Sequence, residues 1–94
     1  MPQAFALKQN YPNPFNPTTT IGFDLPYASH VTIEIYNING QLVNTIVNQQ
    51  IHAGRYEKVW DATNNSGQLV PSGMYFYQIN ADGFTARHKM LLLK

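Results

Sequence analysis

Apolar and polar residues alternate along two stretches in the first half of the chain, residues 18–25 and 29–35. The apolar positions share one parity within each stretch and are Ile21, Phe23, Leu25, Val31, Ile33 and Ile35. Alternation with a period of two is the pattern of a half-buried β-strand. At residues 36–38 the parity changes, which predicts either that both faces are covered there or that a bulge re-aims the strand.

Two tight turns are expected at dipeptides that end in glycine. Asn39-Gly40 readily takes positive φ at both positions, so it predicts a type I′ turn and a hairpin. The returning arm, residues 42–47, has a spacing that also fits a helix face, but its Val, Ile, Thr and Asn content favours a strand. Asp82-Gly83 predicts a second turn, which leads into a closing strand at residues 84–93.

The remaining strands are predicted from shorter signals. Residues 4–9 are half apolar and fit an edge strand, while residues 55–61 hold Trp60, whose size suits a core anchor. Residues 68–70 leave room only for a very short strand. Residues 73–81 are apolar on both faces, which predicts a central strand covered on both sides.

These signals sum to about seven short strands with turns at roughly 8–12-residue spacing, which predicts an all-β fold, an immunoglobulin-like antiparallel β-sandwich. The chain has no cysteine, so it lacks the Cys…Trp…Cys spacing of antibody domains and only the architecture is implied. Its 94 residues suit a single domain over 1–94 with one hydrophobic core. Residues 1–4 are expected to be a linker.

Composition and charge exclude several classes of function. The net charge is +1 and charged residues make up 12% without runs, so nothing favours nucleic acid or an anionic membrane surface. The absence of cysteine excludes a disulfide framework and thiolate chemistry. No apolar stretch approaches the ~18 residues of a membrane-spanning helix.

Candidate catalytic and metal-binding residues are few. The histidines His30, His52 and His88 lie far apart, and no serine or aspartate falls in a nucleophile motif, so we expect a protein that is not an enzyme and needs no cofactor. Asp61, Asn64 and Asn65 form a weak candidate cation site, since a hard cation accepts oxygen ligands. The favoured interpretation is that these side chains hydrogen-bond a tight turn.

Six aromatic residues allow two interpretations. They would suit a sugar-stacking platform, but a domain of this size needs most of its aromatics for the core, so core packing is favoured. A partly exposed aromatic strip would instead indicate a binding surface. The six are Tyr27, Tyr56, Trp60, Tyr75, Phe76 and Tyr77.

A proline-rich stretch, residues 10–17, precedes the first alternating strand. Its three prolines fix φ near −65° and remove three backbone donors, so no helix passes through it. We expect a stiff extended loop, pinned to the domain by the aromatic side chains of Tyr11 and Phe15.

The C-terminal tail places four consecutive apolar residues between two lysines. In chain order the tail is Lys89, Met90, Leu91, Leu92, Leu93 and Lys94. One interpretation is a closing strand buried on both faces. The other is an apolar strand offered to a receptor by strand addition, with the lysines limiting self-association.

The proline stretch and the tail together carry a resemblance to a known family. The run Tyr11, Pro12, Asn13, Pro14, Phe15, Asn16, Pro17, followed by Thr18-Thr19-Thr20-Ile21, resembles the start of the type A C-terminal sorting domains of the type IX (Por) secretion system. The hairpin at residues 31–43 is similar in the same order. It is followed by residues 53–56 with Trp60-Asp61, then Asn64 and Gly67, then residues 72–77 and the tail. The related immunoglobulin-like domain of flagellar hook-capping proteins is similar too. Ala62 departs from the family, which commonly has glycine there.

The resemblance implies a non-catalytic sorting domain at the end of a larger cargo protein. It implies that the cargo crosses the periplasm, that residues 89–94 are recognised by the outer-membrane secretion machinery, and that a surface sortase often removes the domain. The cargo would then reach the cell surface or the medium, and residues 11–17 would lock the start of the domain. The alternatives are a carbohydrate-binding or adhesion module with polysaccharide as its partner, and a plain structural domain like that of the hook-capping protein.

Overall fold

A computed structural model of the protein describes residues 1–93, which form seven β-strands. Their bounds are β1 Ala6–Leu7, β2 Thr19–Leu25, β3 Ser29–Asn37, β4 Leu42–Ile51, β5 Gly54–Trp60, β6 Gly73–Ala81 and β7 Phe84–Leu92. No helix occurs in this part of the chain, so none is available to span a membrane. Lys94, the last residue of the predicted recognition tail, lies outside the described residues.

The strands form two antiparallel sheets, one with the order β1-β2-β5 and the other with the order β4-β3-β6-β7. Inward-facing residues of both sheets form one core, and its largest members include Trp60, Tyr77 and Phe15. The predicted immunoglobulin-like sandwich is therefore confirmed.

The alternating stretches behave as their pattern predicts. In β2 burial alternates residue by residue, with Ile21 and Leu25 fully buried. Strand β3 extends to Asn37, two residues past the predicted end. Its pairing with β4 shifts register twice, but the extra residues, Ile46 and Val43, lie on β4, and β3 pairs with β6 without a shift. The prediction that the parity change at residues 36–38 marks a covered outer face or a bulge in β3 is therefore wrong, since Tyr36 lies on the outer face of the sheet and Ile38 is exposed.

The two predicted turns differ. Asp82 and Gly83 both have positive φ, 46° and 84°, as a two-residue type I′ turn requires. At the first hairpin only Gly40 does, with φ of 78°, so the type I′ prediction is wrong although the hairpin forms. The reason is Asn37, whose Oδ1 accepts hydrogen bonds from the N–H groups of Asn39 and Gln41 and holds a longer loop.

Two strand predictions are wrong. Strand β6 lies between β3 and β7, but only its inward face is buried, because a two-layer sandwich has nothing to cover its outer faces. The outer Phe76 is half-buried, with the Arg87 guanidinium 5.9 Å from its ring centroid. Residues 68–70 form no strand and make a single bridge between Thr63 and Leu69.

Candidate functional site: the C-terminal strand and the proline stretch

Strand β7 lies at the edge of its sheet, yet the backbone of its last residues is paired. The Leu91 N–H donates to Asn13 Oδ1 at 3.0 Å, and the Leu91 carbonyl accepts from the Phe15 N–H at 3.0 Å. The Leu93 N–H donates to the Phe15 carbonyl at 2.9 Å. The proline stretch therefore pairs in parallel with the end of β7 and occupies the edge that strand addition would need.

Phe15 supplies the side-chain anchor of this contact. It is 2% exposed, and its ring centroid lies 5.8 Å from that of Trp60. Tyr11 is 80% exposed, so the prediction that both aromatic side chains pin the loop is wrong for Tyr11. Tyr11 is held through its backbone instead, which exchanges two hydrogen bonds with Thr20.

The other residues of the proline stretch, Pro12, Asn13, Pro14, Asn16 and Pro17, are exposed, and all three X–Pro bonds are cis. A buried polar pair ties this stretch to β2. Asn10 Nδ2 donates to Thr19 Oγ1 at 2.9 Å and to the Pro12 carbonyl at 3.2 Å. The Thr19 hydroxyl donates to the same carbonyl at 2.8 Å, so all these polar groups are paired.

Tyr77 and His88 join the N-terminal segment to the larger sheet. The Tyr77 hydroxyl donates to the Lys8 carbonyl and accepts from the Asn10 N–H, both at 2.7 Å. Burial raises the pKa of Tyr77 to about 12, and the bond from Asn10 opposes this only in part. His88 Nε2 lies 2.8 Å from the Leu7 carbonyl. We call this border, where residues 7–16 bridge to Tyr77 and β7, the closed side of the sandwich.

Side chains of the tail alternate instead of being buried on both faces. Met90 and Leu92 are buried, Leu91 is half-buried, and Leu93 is 49% exposed. Lys89 is exposed, and its carbonyl accepts a hydrogen bond from Gln9 Nε2. The interpretation of a strand covered on both faces is therefore wrong.

The outward side chains of the tail join an apolar area on the larger sheet. Leu91 lies opposite Met74 and Lys89 lies opposite Phe76 in the β6–β7 register. Met74 and Phe76 are half-buried. We call the outward side chains of these four residues, together with Leu93, the tail face. Side chains rather than backbone groups are what this surface offers to a partner.

The polar loop uses its oxygens internally. Asn64 Oδ1 accepts hydrogen bonds from the N–H groups of Ser66 and Gln68, and Asn65 Oδ1 accepts from the Thr45 N–H. The Asp61 carboxylate accepts the Thr63 hydroxyl. These bonds are what the turn interpretation expects of Asp61, Asn64 and Asn65.

The histidines and the acidic residues do not converge. His30 lies 2.8 Å from Asn48 Oδ1, His52 is exposed, and His88 contacts Leu7. Within residues 1–93 no three His, Cys, Asp or Glu side chains are grouped closely enough to hold a metal ion.

The aromatic residues divide between core and surface. Trp60, Tyr75 and Tyr77 are buried, and Tyr56 is half-buried and stacks on Phe23. The half-exposed ring of Tyr27 packs edge-on against Phe5, and its hydroxyl donates to Asp82, which raises the pKa of Tyr27.

The two most exposed aromatic rings stand far apart. They are Tyr11 and Tyr27, which adjoin opposite ends of β2. A seven-residue strand separates such positions by roughly 20 Å. Tyr11 and Tyr27 therefore do not form a flat sugar-stacking platform.

The two-sheet arrangement and its single core define an immunoglobulin-like β-sandwich domain. The FlgD Ig-like domain family matches residues 10–83 of the chain. The chain therefore belongs to the FlgD Ig-like domain family.

Relatives by sequence and by structure agree with this assignment. The basal-body rod modification protein FlgD of Escherichia coli K12 is 37% identical over 65 residues, which cover 68% of this chain and 28% of that protein. The crystal structure of FlgD from P. aeruginosa is similar with a TM-score of 0.58 and 29% identity, over 82% of this chain and 66% of that one.

Two further solved structures share the fold. Dimeric latent PorU from Porphyromonas gingivalis has a TM-score of 0.73 at 23% identity, covering 96% of this chain and 9% of that one. PorZ, described as an essential surface component of the type-IX secretion system of the same organism, has a TM-score of 0.62 at 19% identity, covering 98% and 12%. The chain thus corresponds to a small part of each of these larger proteins.

Proposed function

We propose that this domain is a non-catalytic C-terminal sorting domain that directs a larger cargo protein across the outer membrane by type IX secretion. The partners in this proposal are the outer-membrane secretion machinery, a surface sortase and the N-terminal cargo domain. The cargo passes through the periplasm and ends at the cell surface or outside the cell.

The observation that carries the proposal is the pairing of the proline stretch with the end of β7. These are the two segments on which the resemblance to type A sorting domains rests, and the Phe15 backbone bonds to Leu91 and Leu93 make them one unit. The likeness of the fold to regions of PorU and PorZ, over 96% and 98% of this chain, adds support.

Recognition in this proposal uses the tail face. Since Phe15 and Asn13 occupy the edge of β7, a receptor that adds a strand there has to displace them. Exposed side chains can be contacted without displacing any part of the domain. Leu93 and Lys89 present an apolar group and a cation on this surface. Side-chain docking therefore replaces the strand addition expected from the tail sequence.

A structural role like that of the hook-capping protein is the second candidate. Membership of the FlgD Ig-like family and 37% identity to the Escherichia coli protein favour it. In this role the domain serves as a spacer or an assembly contact, and changes in the tail face leave localisation unaltered. The carbohydrate-binding alternative loses support, because Trp60, Tyr75 and Tyr77 are buried and the most exposed rings stand far apart.

The test is a secretion assay in a host with type IX secretion. A reporter with an N-terminal export signal is fused to residues 1–94, either unchanged or with Lys89→Ala, Leu91→Thr and Leu93→Thr combined. These substitutions leave the buried Met90 and Leu92 in place, whereas a truncation at residue 88 removes both and threatens folding. We expect the unchanged fusion outside the cell and the triple variant folded in the periplasm.

The matched control changes Thr85→Ala and Gln50→Ala, two exposed residues of the same sheet outside the tail face. We expect this control to be exported. Export of the triple variant at the control's level would contradict recognition through the tail face. Retention of the unchanged fusion in the periplasm would contradict sorting and favour the structural role.

A further inference from the structure

Opposite the closed side, the sandwich ends in two edge strands, β4 of the larger sheet and β5 of the smaller one. At one end of this border the loop after β5 bonds to β4, since the Asn65 N–H donates to the Val43 carbonyl and Asn44 Nδ2 donates to the Thr63 carbonyl. Beyond this contact a cleft separates β5 from residues 46–51 of β4. We call this border the open side. Its two features, a free backbone edge and a cleft with polar and apolar walls, point to the same kind of partner.

The free edge is the outer edge of β5. Thr20 exchanges backbone hydrogen bonds with Tyr11 on the other side of β2. The backbone N–H and C=O groups of Ile21 and Phe23 therefore point toward β5, where these residues pair with Lys58 and Tyr56. The residues between, Arg55, Glu57 and Val59, therefore point their N–H and C=O groups away from β2. Among residues 1–93 no hydrogen bond satisfies these six groups, which form a template for another strand.

The cleft lies beside this edge, between the two sheets. Its volume is about 260 Å³. Its apolar lining comes from Phe23, Ile46, Val47, Ile51 and Tyr56, and its polar lining from Asn48, Gln49, Glu57 and Lys58. A strand added to β5 continues the smaller sheet, so its inward side chains fall next to those of Tyr56 and Lys58 and cover the cleft. Apolar side chains at alternate positions of such a strand would fill it.

Lys58 determines which charge the bound segment should carry. It pairs with the buried Ile21, so it occupies an inward position of the edge strand, yet its side chain is exposed. An inward-pointing charge deters indiscriminate pairing at a sheet edge, because an apolar strand cannot satisfy it. A carboxylate at the facing position of the added strand removes this obstacle.

A second copy of β5 fits less well. The antiparallel register that overlaps the strand over its full length, Gly54–Trp60, is centred on Glu57 and places two Glu57 side chains opposite each other. Like charges directly opposite destabilise a strand pair.

We propose that the outer edge of β5 and the adjoining cleft bind an extended segment of another polypeptide by strand addition. The segment alternates apolar and polar residues and carries a carboxylate that faces Lys58. This site is separate from the tail face, and the inference does not rest on the proposed role in secretion.

The probe is the peptide acetyl-Thr-Val-Thr-Glu-Thr-Val-Thr-amide, compared with a version that has lysine in place of glutamate. Binding is followed on the ¹⁵N-labelled domain by amide chemical shifts and hydrogen exchange. We expect shifts at Arg55, Glu57 and Val59, about tenfold slower exchange of these amides at 90% saturation, and a preference for the acidic peptide on the order of fivefold.

Two variants with matched controls decide the mode of binding. Lys58→Glu should reverse the charge preference, whereas Arg87→Glu, an equal change of charge on the distant β7, should not. Glu57→Pro removes one outward N–H and should weaken binding, whereas Glu57→Gln keeps that N–H and should bind the peptide. If Glu57→Pro does not fold, the effect of Lys58→Glu on the charge preference decides whether the proposal stands.

Three results would overturn the proposal. These are no binding of either peptide, shifts confined to surfaces other than β5 and the cleft, or a charge preference unchanged by Lys58→Glu. Dimerisation of the domain through β5 without peptide, seen by sedimentation, would instead identify a second copy as the occupant.

Discussion

The closed and open sides of the sandwich differ in how the edges of the two sheets are covered. At both borders each sheet ends in an edge strand that has no further strand of its own sheet beside it. On the closed side, Tyr77, Asn10 and Phe15 link the N-terminal segment to the larger sheet with hydrogen bonds in a buried setting. On the open side, the edge of β5 is left unpaired and is protected by Lys58. The closed side stabilises the domain, and the open side remains available for a partner.

The largest expected effect comes from breaking the closed side at its anchor. Phe15→Ala should lower the free energy of unfolding by about 3–5 kcal/mol, since it removes a buried ring that packs on Trp60. Urea denaturation of the purified domain measures this change. The control is Tyr11→Ala, which removes an exposed ring of the same stretch and should cost less than about 0.5 kcal/mol. An equally small loss in Phe15→Ala would contradict the role of the Phe15 ring as the anchor of the stretch.

Tyr77→Phe should have the next largest effect, about 2–3 kcal/mol, because the Asn10 N–H and the Lys8 carbonyl lose their partner. Urea denaturation at neutral pH measures it. Tyr75→Phe is the comparison, since that hydroxyl makes one bond, to the Pro71 carbonyl. A change below about 0.5 kcal/mol for Tyr77→Phe would contradict a stabilising role for these bonds.

Alkaline pH should weaken the same border. Burial raises the pKa of Tyr77 to about 12, above its ordinary value of 10.0, so the unfolded state loses this proton first as pH rises. The contribution of Tyr77 is therefore complete below about pH 10 and declines between about pH 10 and 12. Unfolding midpoints measured across this range should fall less steeply in Tyr77→Phe than in the wild type. Part of the decline should persist, because the pKa values of Tyr27, Tyr36 and Tyr75 are also raised.

A smaller effect is expected where the proline stretch meets the tail. Asn13→Ala removes the acceptor of the Leu91 N–H and should cost about 0.5–1.5 kcal/mol. Hydrogen exchange of the Leu91 amide should accelerate, while exchange of the Leu93 amide, bonded to the Phe15 carbonyl, should change less. Uniform acceleration of both amides would indicate that the whole stretch detaches.

The smallest change in stability is expected on the open side. Lys58→Val should alter the free energy of unfolding by less than about 0.5 kcal/mol, since the lysine is exposed. It should nevertheless promote self-association, because the inward charge at the edge is gone. Sedimentation velocity measures the association, and Lys89→Val serves as a control with an equal loss of charge at an exposed position on β7 of the other sheet. A strictly monomeric Lys58→Val variant would contradict the protective role of Lys58.

How far the sequence predicts the site depends on the kind of contact. The tail and the proline stretch stand out in the sequence, because consecutive apolar residues and closely spaced prolines are local signals. The pairing of these two segments cannot be predicted from the sequence, since Phe15 and Leu91 are brought together only by the fold. The partners of Asn10 and His88 could not be predicted from the sequence, because a single polar residue in a loop or strand has no pattern that indicates what it bonds to.

The sequence by itself determined most of the strands, the second turn and the sandwich, because alternation and Asx-Gly dipeptides act over a few residues. Tertiary structure alone decided which edges are covered. The sequence of the tail does not show that Asn13 and Phe15 cover its edge. The sequence of β5 likewise does not show that its outer edge is free. Edge pairing joins residues far apart in the chain, so the physical reason lies in topology rather than in local preference.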